Sequence, residues 1–162
     1  MMKKEYSQAV LDEIGAKFPR ASVKIHAPRR TYVSVPRDDV YEFAKFLFEE
    51  KKCRLSIATG IDKRDGIEIL YHFSHDPSGT YYNIKTLVPK DDLKIRSLAD
   101  FLPAANWIER EIHELLGVDF TGHPNLVPLL TAETWPADLY PLRRDYADEH
   151  KELKIEKTKE DH

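Results

Sequence analysis

Two carboxylates flank an arginine at Glu109–Arg110–Glu111, and His113 and Glu114 follow within the next helical turn. Residues of these types can hold a metal, move a proton or grip another chain. A zinc-protease helix needs two histidines four residues apart with a glutamate after the first. His113–Glu114 would require its second histidine at Gly117, so that motif fails. Glu109 and His113 share the same spacing, but no third ligand stands within useful reach, and metal sites need three or four. His72, set between Tyr71 and Phe73, reads as a surface histidine on the polar side of a strand, and His75 lies at that strand's end. Cys53 reads as a small buried hydrophobe. No glycine-rich phosphate loop, nucleophile elbow or Ser–His–Asp spacing occurs. The expectation is a chain with no catalytic, cofactor-binding or metal-ligating residues of its own.

The charged cluster must ride on a helix from Ala104 to Leu116. Ile108, Ile112, Leu115 and Leu116 fall within one arc of about 100° and face the core. Glu109 and Glu111 then lie on opposite flanks, and Arg110 points away from the core. Two readings stand side by side. One is a solvated face with Glu109–His113 and Arg110–Glu114 pairs, worth a few tenths of a kcal/mol each. The other makes Arg110 and the carboxylates docking groups, since a guanidinium fork binds carboxylates or carbonyls in a fixed direction. On that reading Arg110→Ala leaves the domain folded and weakens assembly with a partner.

Gly117 is placed to close the helix. Beyond it Pro124, Pro128, Pro136 and Pro141 forbid a long helix or a central strand, so 118–146 is expected to be an irregular extended arm. Proline restrains the residue before it, so His123 is presented in an extended conformation by Pro124. Trp135–Pro136 and Tyr140–Pro141–Leu142–Arg143–Arg144–Asp145–Tyr146 continue the pattern. A stiff arm bearing aromatic and arginine side chains loses little entropy on docking. It can equally be a strap across its own domain, and the two roles are compatible.

Upstream, the apolar spacing of Tyr6, Val10, Leu11, Ile14 and Phe18 predicts a helix ended by Pro19. Ser22–Ala27 and Arg30–Val35 alternate around Pro28–Arg29 and predict a hairpin. Pro36 opens a helix of about fifteen residues, with Asp38 and Asp39 in the first turn where the dipole favours acids. Leu55–Ile61, Ile67–Ser74 and Tyr81–Val88 read as strands, the first two joined through Lys63–Arg64–Asp65–Gly66. A charged connection and a short turn at Ser97–Phe101 follow. The order α-β-β-α-β-β-β-α implies a two-layer α+β domain over 1–117, with a mixed, mostly antiparallel five-stranded sheet and its helices on one face. After it come the arm, 118–146, and a charged tail, 147–162, expected to be mobile or a frayed helix.

Composition narrows the function classes. At 162 residues, 41% hydrophobic, the chain can bury a core as one domain. Its net charge is −3 and its pI near 6.2, which disfavours nucleic acid as the main partner. A single cysteine excludes an intramolecular disulfide and a cluster held by this chain's cysteines alone. No apolar run reaches membrane-spanning length and no signal core is present, which points to the cytoplasm. Gln8 is the only glutamine, beside many Lys, Arg and Glu, a balance common in heat-adapted proteins.

At these residues the chain resembles the 30 kDa subunit of NADH–quinone oxidoreductase (respiratory complex I), a family also known as the C-type subunit. Its relatives occur in energy-converting membrane-bound nickel–iron hydrogenases. The family signature is Glu-Arg-Glu, two residues, an acid, two apolar residues, six residues, then histidine or lysine. Glu109–Arg110–Glu111, Glu114, Leu115–Leu116 and His123 fill it in register. Gly117, Val118, Phe120, Gly122, His123 and Pro124 match a second motif, and Pro141–Leu142–Arg143–Arg144–Asp145–Tyr146 the family's usual ending. After Leu126 the family usually carries a basic residue or proline, commonly arginine followed by another basic residue. This chain has Val127–Pro128, a departure that fits a diverged branch such as the hydrogenase-type complexes.

The resemblance implies a two-layer α+β fold and a peripheral-arm subunit on the cytoplasmic face, touching the membrane only through its complex. It implies no cofactor of its own. The implied partners are the large hydrogenase-like subunit and the cluster-bearing subunits. Trp107, Glu109, Arg110, Glu111, Glu114, His123, Pro124, Arg143, Arg144, Asp145 and Tyr146 become the expected intersubunit surface or its support. The equivalent subunit of a ferredoxin-linked, proton-reducing hydrogenase and a free-standing regulatory binding module remain as alternatives.

Overall fold

The computed structural model describes residues 2–149, so most of the tail expected over 147–162 lies outside the described residues. The chain opens with α1 (Met2–Lys17), which buries Val10 and Ile14 and delivers Phe18 onto Phe43, ring centroids 4.7 Å apart. The predicted hairpin follows as β1 (Ser22–Ala27) and β2 (Arg30–Ser34), antiparallel with Val23 opposite Val33. Pro36 then starts a single helical segment of three gauges. A 3₁₀ turn (Arg37–Asp39) leads into α2 (Val40–Lys45), which widens into a π turn (Phe46–Glu50) closed by Lys51 N–H on the Phe46 carbonyl at 3.1 Å. Val40, Phe43, Ala44 and Leu47 form its buried stripe.

β3 (Arg54–Asp62), β4 (Gly66–His75) and β5 (Thr80–Pro89) form an antiparallel meander. β2 then lies parallel beside β5, giving the order β1-β2-β5-β4-β3. The expected mixed, mostly antiparallel five-stranded sheet is thus present. Alternation assigns its faces. Ile67, Ile69, Tyr71 and Phe73 of β4 and Tyr82, Ile84 and Val88 of β5 are fully buried toward the helices. Glu68, Leu70 and His72 take the other face, where His72 Nδ1 meets Asn83 Oδ1 at 2.6 Å. Each fully buried Ile or Phe contributes roughly 1.5–3 kcal/mol, so this row holds the sheet to the helical layer.

Three elements depart from the sequence reading. The charged connection contains β6 (Lys94–Arg96), and the arm begins with β7 (Asp119–Thr121), which pairs with it in parallel. Three-residue strands are too short for alternation to declare them, and burial of Ile95 and Phe120 supplies the reason they form. Between them stands α3 (Ala105–Leu116), packed along β3. The arm ends in α4 (Arg144–Glu149), so its last residues are helical rather than extended.

Candidate intersubunit surface

α3 is wrapped on three sides, which the spacing of its apolar residues alone does not reveal. Ile112 and Leu116 face β3, where Gly60 leaves the room: a Cβ there would meet Ile112 Cγ2 at 3.4 Å and strike the Leu116 side chain. The second side is covered by the turn after β6. Glu109 is completely buried there, accepting the Ser97 hydroxyl at 2.6 Å and the Leu98 N–H at 2.9 Å. Ser97 Oγ in turn accepts the Ala99 N–H at 3.0 Å. Burial pushes the Glu109 carboxyl up to about 7, against the two hydrogen bonds, with Asp100 adding repulsion. Tyr71 is close enough for the Glu109 charge to add to the burial that raises its phenol. The Tyr71 hydroxyl has no hydrogen-bond partner among the described residues.

The third side is covered by the arm itself. Arg110, expected to point into solvent, is buried: Nε donates to the Val127 carbonyl at 2.9 Å and Nη2 to that of Pro128 at 3.0 Å. Glu114 accepts the N–H groups of Leu129, Leu130 and Thr131 at 2.9, 2.8 and 2.6 Å, and the Thr131 hydroxyl as well. Burial pushes the Glu114 carboxyl up, but these four donors outweigh it and hold it at about 2. The pairs Glu109–His113 and Arg110–Glu114 are not what these side chains make. His113 Nδ1 donates to the Val118 carbonyl at 2.8 Å. Among the described residues no three His, Cys, Asp or Glu side chains come together as a metal site.

His123 fastens the arm's start. Its Nε2 donates to the Asn106 carbonyl at 3.1 Å, and its Nδ1 accepts the Asn125 N–H at 3.0 Å. That combination specifies one neutral tautomer. The arm's far end returns to the C-terminus of α3. Arg143 Nε donates to the Leu116 carbonyl at 2.8 Å, with its guanidinium 4.1 Å above the Tyr140 ring. Leu142 N–H bonds the Leu115 carbonyl at 3.1 Å. Arg143 therefore occupies an orphan carbonyl where the helix dipole favours a cation. Arg144 contributes its backbone N–H to Asp62 at 2.9 Å, and the rings of Trp135 and Tyr146 lie 6.3 Å apart.

Gly117 makes this closure possible. It ends α3 in the left-handed region, φ 74°, with its N–H on the His113 carbonyl at 2.8 Å. A Cβ there would sit 2.7 Å from the Tyr140 ring and against the Arg143 guanidinium. Gly117→Ala is expected to destabilise the chain by about 2 kcal/mol, from left-handed strain plus displacement of the Arg143 cap. Urea unfolding with an unchanged m-value measures it, and an unchanged midpoint refutes it.

Part of what α3 and the arm leave outside is apolar. Trp107 is 62% exposed, 5.0 Å from the Arg110 guanidinium; Leu130 is 61% exposed and Val127 and Leu142 nearly as open. Beside them a shallow groove runs between β3 and α3, lined by Ile57, Thr59, Ile108, Glu111, Leu115 and Leu142. The sequence-chosen residues thus divide. Glu109, Arg110, Glu114, His123 and Arg143 work inside the chain. Trp107, Pro124, Arg144 and Asp145 are exposed, and Glu111 and Tyr146 half-buried. The side chains of Ser97, Asp62 and Tyr140 were missed because they come from segments distant in sequence, and the main chain of 127–131 because main-chain partners leave no mark in residue type.

Comparisons with known proteins span most of the chain. A family model described as the respiratory-chain NADH dehydrogenase, 30 Kd subunit, matches residues 33–152. The chain is 30% identical over 145 residues to the C-type subunit of the F(420)H(2) dehydrogenase of Methanosarcina mazei, covering 86% of this chain and 91% of that one. It is 29% identical to the fused C/D polypeptide of the NADH-quinone oxidoreductase of Erwinia tasmaniensis, covering 94% of this chain but only 28% of that longer relative. A chain in the structure of the membrane-bound sulfane sulfur reductase, an archaeal respiratory membrane complex, superposes with a TM-score of 0.79 and 26% identity, covering 97% of this chain and 96% of that one. No helix among the described residues is long and apolar enough to cross a membrane.

Proposed function

Because the chain belongs to the family of the respiratory-chain NADH dehydrogenase 30 kDa subunit, we propose that it is a non-catalytic peripheral-arm subunit of a complex-I-like membrane electron-transfer complex. It sits on the cytoplasmic face, beside the large hydrogenase-like subunit and the cluster-bearing subunits, and reaches the membrane only through them. One observation carries the reading. The arm is locked from beneath by Arg110 and Glu114, yet turns Val127, Leu130 and Leu142 outward beside Trp107. Apolar side chains held in place before contact lose little entropy on binding, and a buried aromatic anchor dominates many interfaces. In this reading Trp107, Glu111, Pro124, Arg144, Asp145 and Tyr146 form the contact surface. Glu109, Arg110, Glu114, His123 and Arg143 hold it in shape.

The test is Trp107→Ala combined with Leu130→Ser, two exposed side chains, while the Val127 and Pro128 carbonyls keep Arg110 in place. The variant is expected to unfold at the wild-type urea midpoint while its recovery with the large subunit falls by about tenfold or more, the loss of one interface anchor. Full recovery of the complex overturns the docking role. A second reading concerns the parent complex. Near-complete coverage of a chain from an archaeal respiratory membrane complex, and of the F(420)H(2) dehydrogenase relative, favours a donor other than NADH. The equivalent subunit of an energy-converting hydrogenase fits the same surface. Purifying the tagged chain with its complex, then assaying reduced F420, NADH and reduced ferredoxin as donors, separates these readings.

A further inference from the structure

β1 is the edge strand at the end of the sheet opposite β3, against which α3 packs. All six of its residues are exposed. It pairs with β2 on one side, and on the other no described strand takes its N–H and C=O groups. Val23 and Ile25 continue the buried rows of the sheet, opposite Val33 and Thr31, which are almost fully buried. At β1 the cover stops: Val23 is 38% and Ile25 61% exposed. The ladder to β2 is irregular between Ile25 and Ala27, so the regular stretch of open edge is Ser22–Ile25, where a further strand gains both main-chain bonds and side-chain burial.

Charge identifies what would fit. The chain carries more acids than bases, yet from Ile14 to Arg37 it has no acidic residue and six cations: Lys17, Arg20, Lys24, Arg29, Arg30 and Arg37. Lys17, Arg20 and Arg37 are neutralised by Glu50, Asp39 and Asp92. Lys24, Arg29 and Arg30, on β1, its turn and the start of β2, make no ion pair among the described residues. On the face of β1 opposite Ile25, Lys24 lies beside His26, whose ring meets Tyr32 edge-on at 5.9 Å. Lys24 also disfavours the symmetric pairing of two copies centred on it, which would set like charges opposite each other.

We infer that the β1 edge takes up an extended segment of a partner polypeptide in which apolar residues alternate with acidic ones. The apolar residues would cover Val23 and Ile25, and the acids would meet Lys24, with Arg30 on the same face of β2 behind it; Arg29 instead reaches across to Gly79 in the β4–β5 turn. This surface is separate from α3 and the arm, so it would join the chain to a second neighbour, and it does not depend on the docking role proposed there.

Fluorescently labelled synthetic peptides of alternating Ile and Glu, alternating Ile and Gln, and Ile and Glu with N-methylated backbone on alternate residues test it against the full chain. The Ile/Glu peptide is expected to bind, weakening by about tenfold with Ile/Gln or with Lys24→Glu, and in raised salt. N-methylation and Ile25→Lys are expected to abolish binding, since they remove the main-chain ladder and the apolar contact. Equal binding of the N-methylated peptide means simple charge attraction and overturns the inference. So does binding to phosphatidylglycerol vesicles in place of the peptides, or concentration-dependent dimers lost in Ile25→Lys, which would assign the edge to lipid or to a second copy.

Discussion

Glu114→Ala is expected to lower stability by about 3 kcal/mol and to open residues 124–131 to protease. The carboxylate accepts three N–H groups and a hydroxyl from the arm, and removing it leaves those donors without their acceptor. The same figure follows from the titration: a carboxyl lowered from its ordinary 4.5 to about 2 is stabilised in the fold by roughly 3 kcal/mol. The sign is that of a depressed acid. Its contribution is complete above pH 4.5 and disappears as pH falls through 2. Amide exchange at Leu129, Leu130 and Thr131 is the direct measurement. If those amides exchange at wild-type rates in Glu114→Ala, the arm is held by something else. Because the arm is a local structure, its opening should precede global unfolding.

Five residues earlier on the same helix, Glu109 is expected to act in the opposite direction. Its carboxyl is raised from 4.5 to about 7, mainly by burial, with Asp100 contributing and the Ser97 and Leu98 bonds opposing. The unfolded chain releases this proton first, so stability falls as pH climbs from 4.5 to 7 and is level above. The loss is roughly 3 kcal/mol, the cost of the raised value. Glu109→Gln keeps an oxygen for the Leu98 N–H and offers its amide N–H to Ser97 Oγ, without a charge to bury. It should erase the decline and make the variant more stable than the parent at pH 8. Urea midpoints from pH 4.5 to pH 8 settle it; a parallel decline in Glu109→Gln removes Glu109 as the cause.

How far the sequence anticipated these sites depends on what the residues touch. The stripe Ile108–Ile112–Leu116 and the closing Gly117 were legible because helical periodicity and left-handed backbone leave marks in residue type. The sheet was legible for the same reason, through alternation in Ile67–Phe73 and Tyr82–Val88. The surroundings of Glu109, Arg110 and Glu114 were not. A single helix considered alone has one buried side, and these residues looked outward; two returning segments, 97–102 and 127–131, cover those flanks. Their contacts, apart from the Ser97 and Thr131 hydroxyls, are main-chain groups, which any sequence supplies. The prolines rule out a long helix between Gly117 and Arg143, but they do not say where that segment lies. β6 and β7 escaped because their pairing joins distant segments through only three residues each.

The hold on the arm has an evolutionary corollary. Arg110 and Glu114 grasp only peptide oxygens and peptide N–H groups, apart from the Thr131 hydroxyl. The side chains at Val127, Pro128, Leu129 and Leu130 are thus not read by the clamp at all. Valine can therefore stand at 127 without loosening anything beneath it. Such an arrangement lets the outward residues drift to suit one host assembly or another while the bracket that carries them stays fixed.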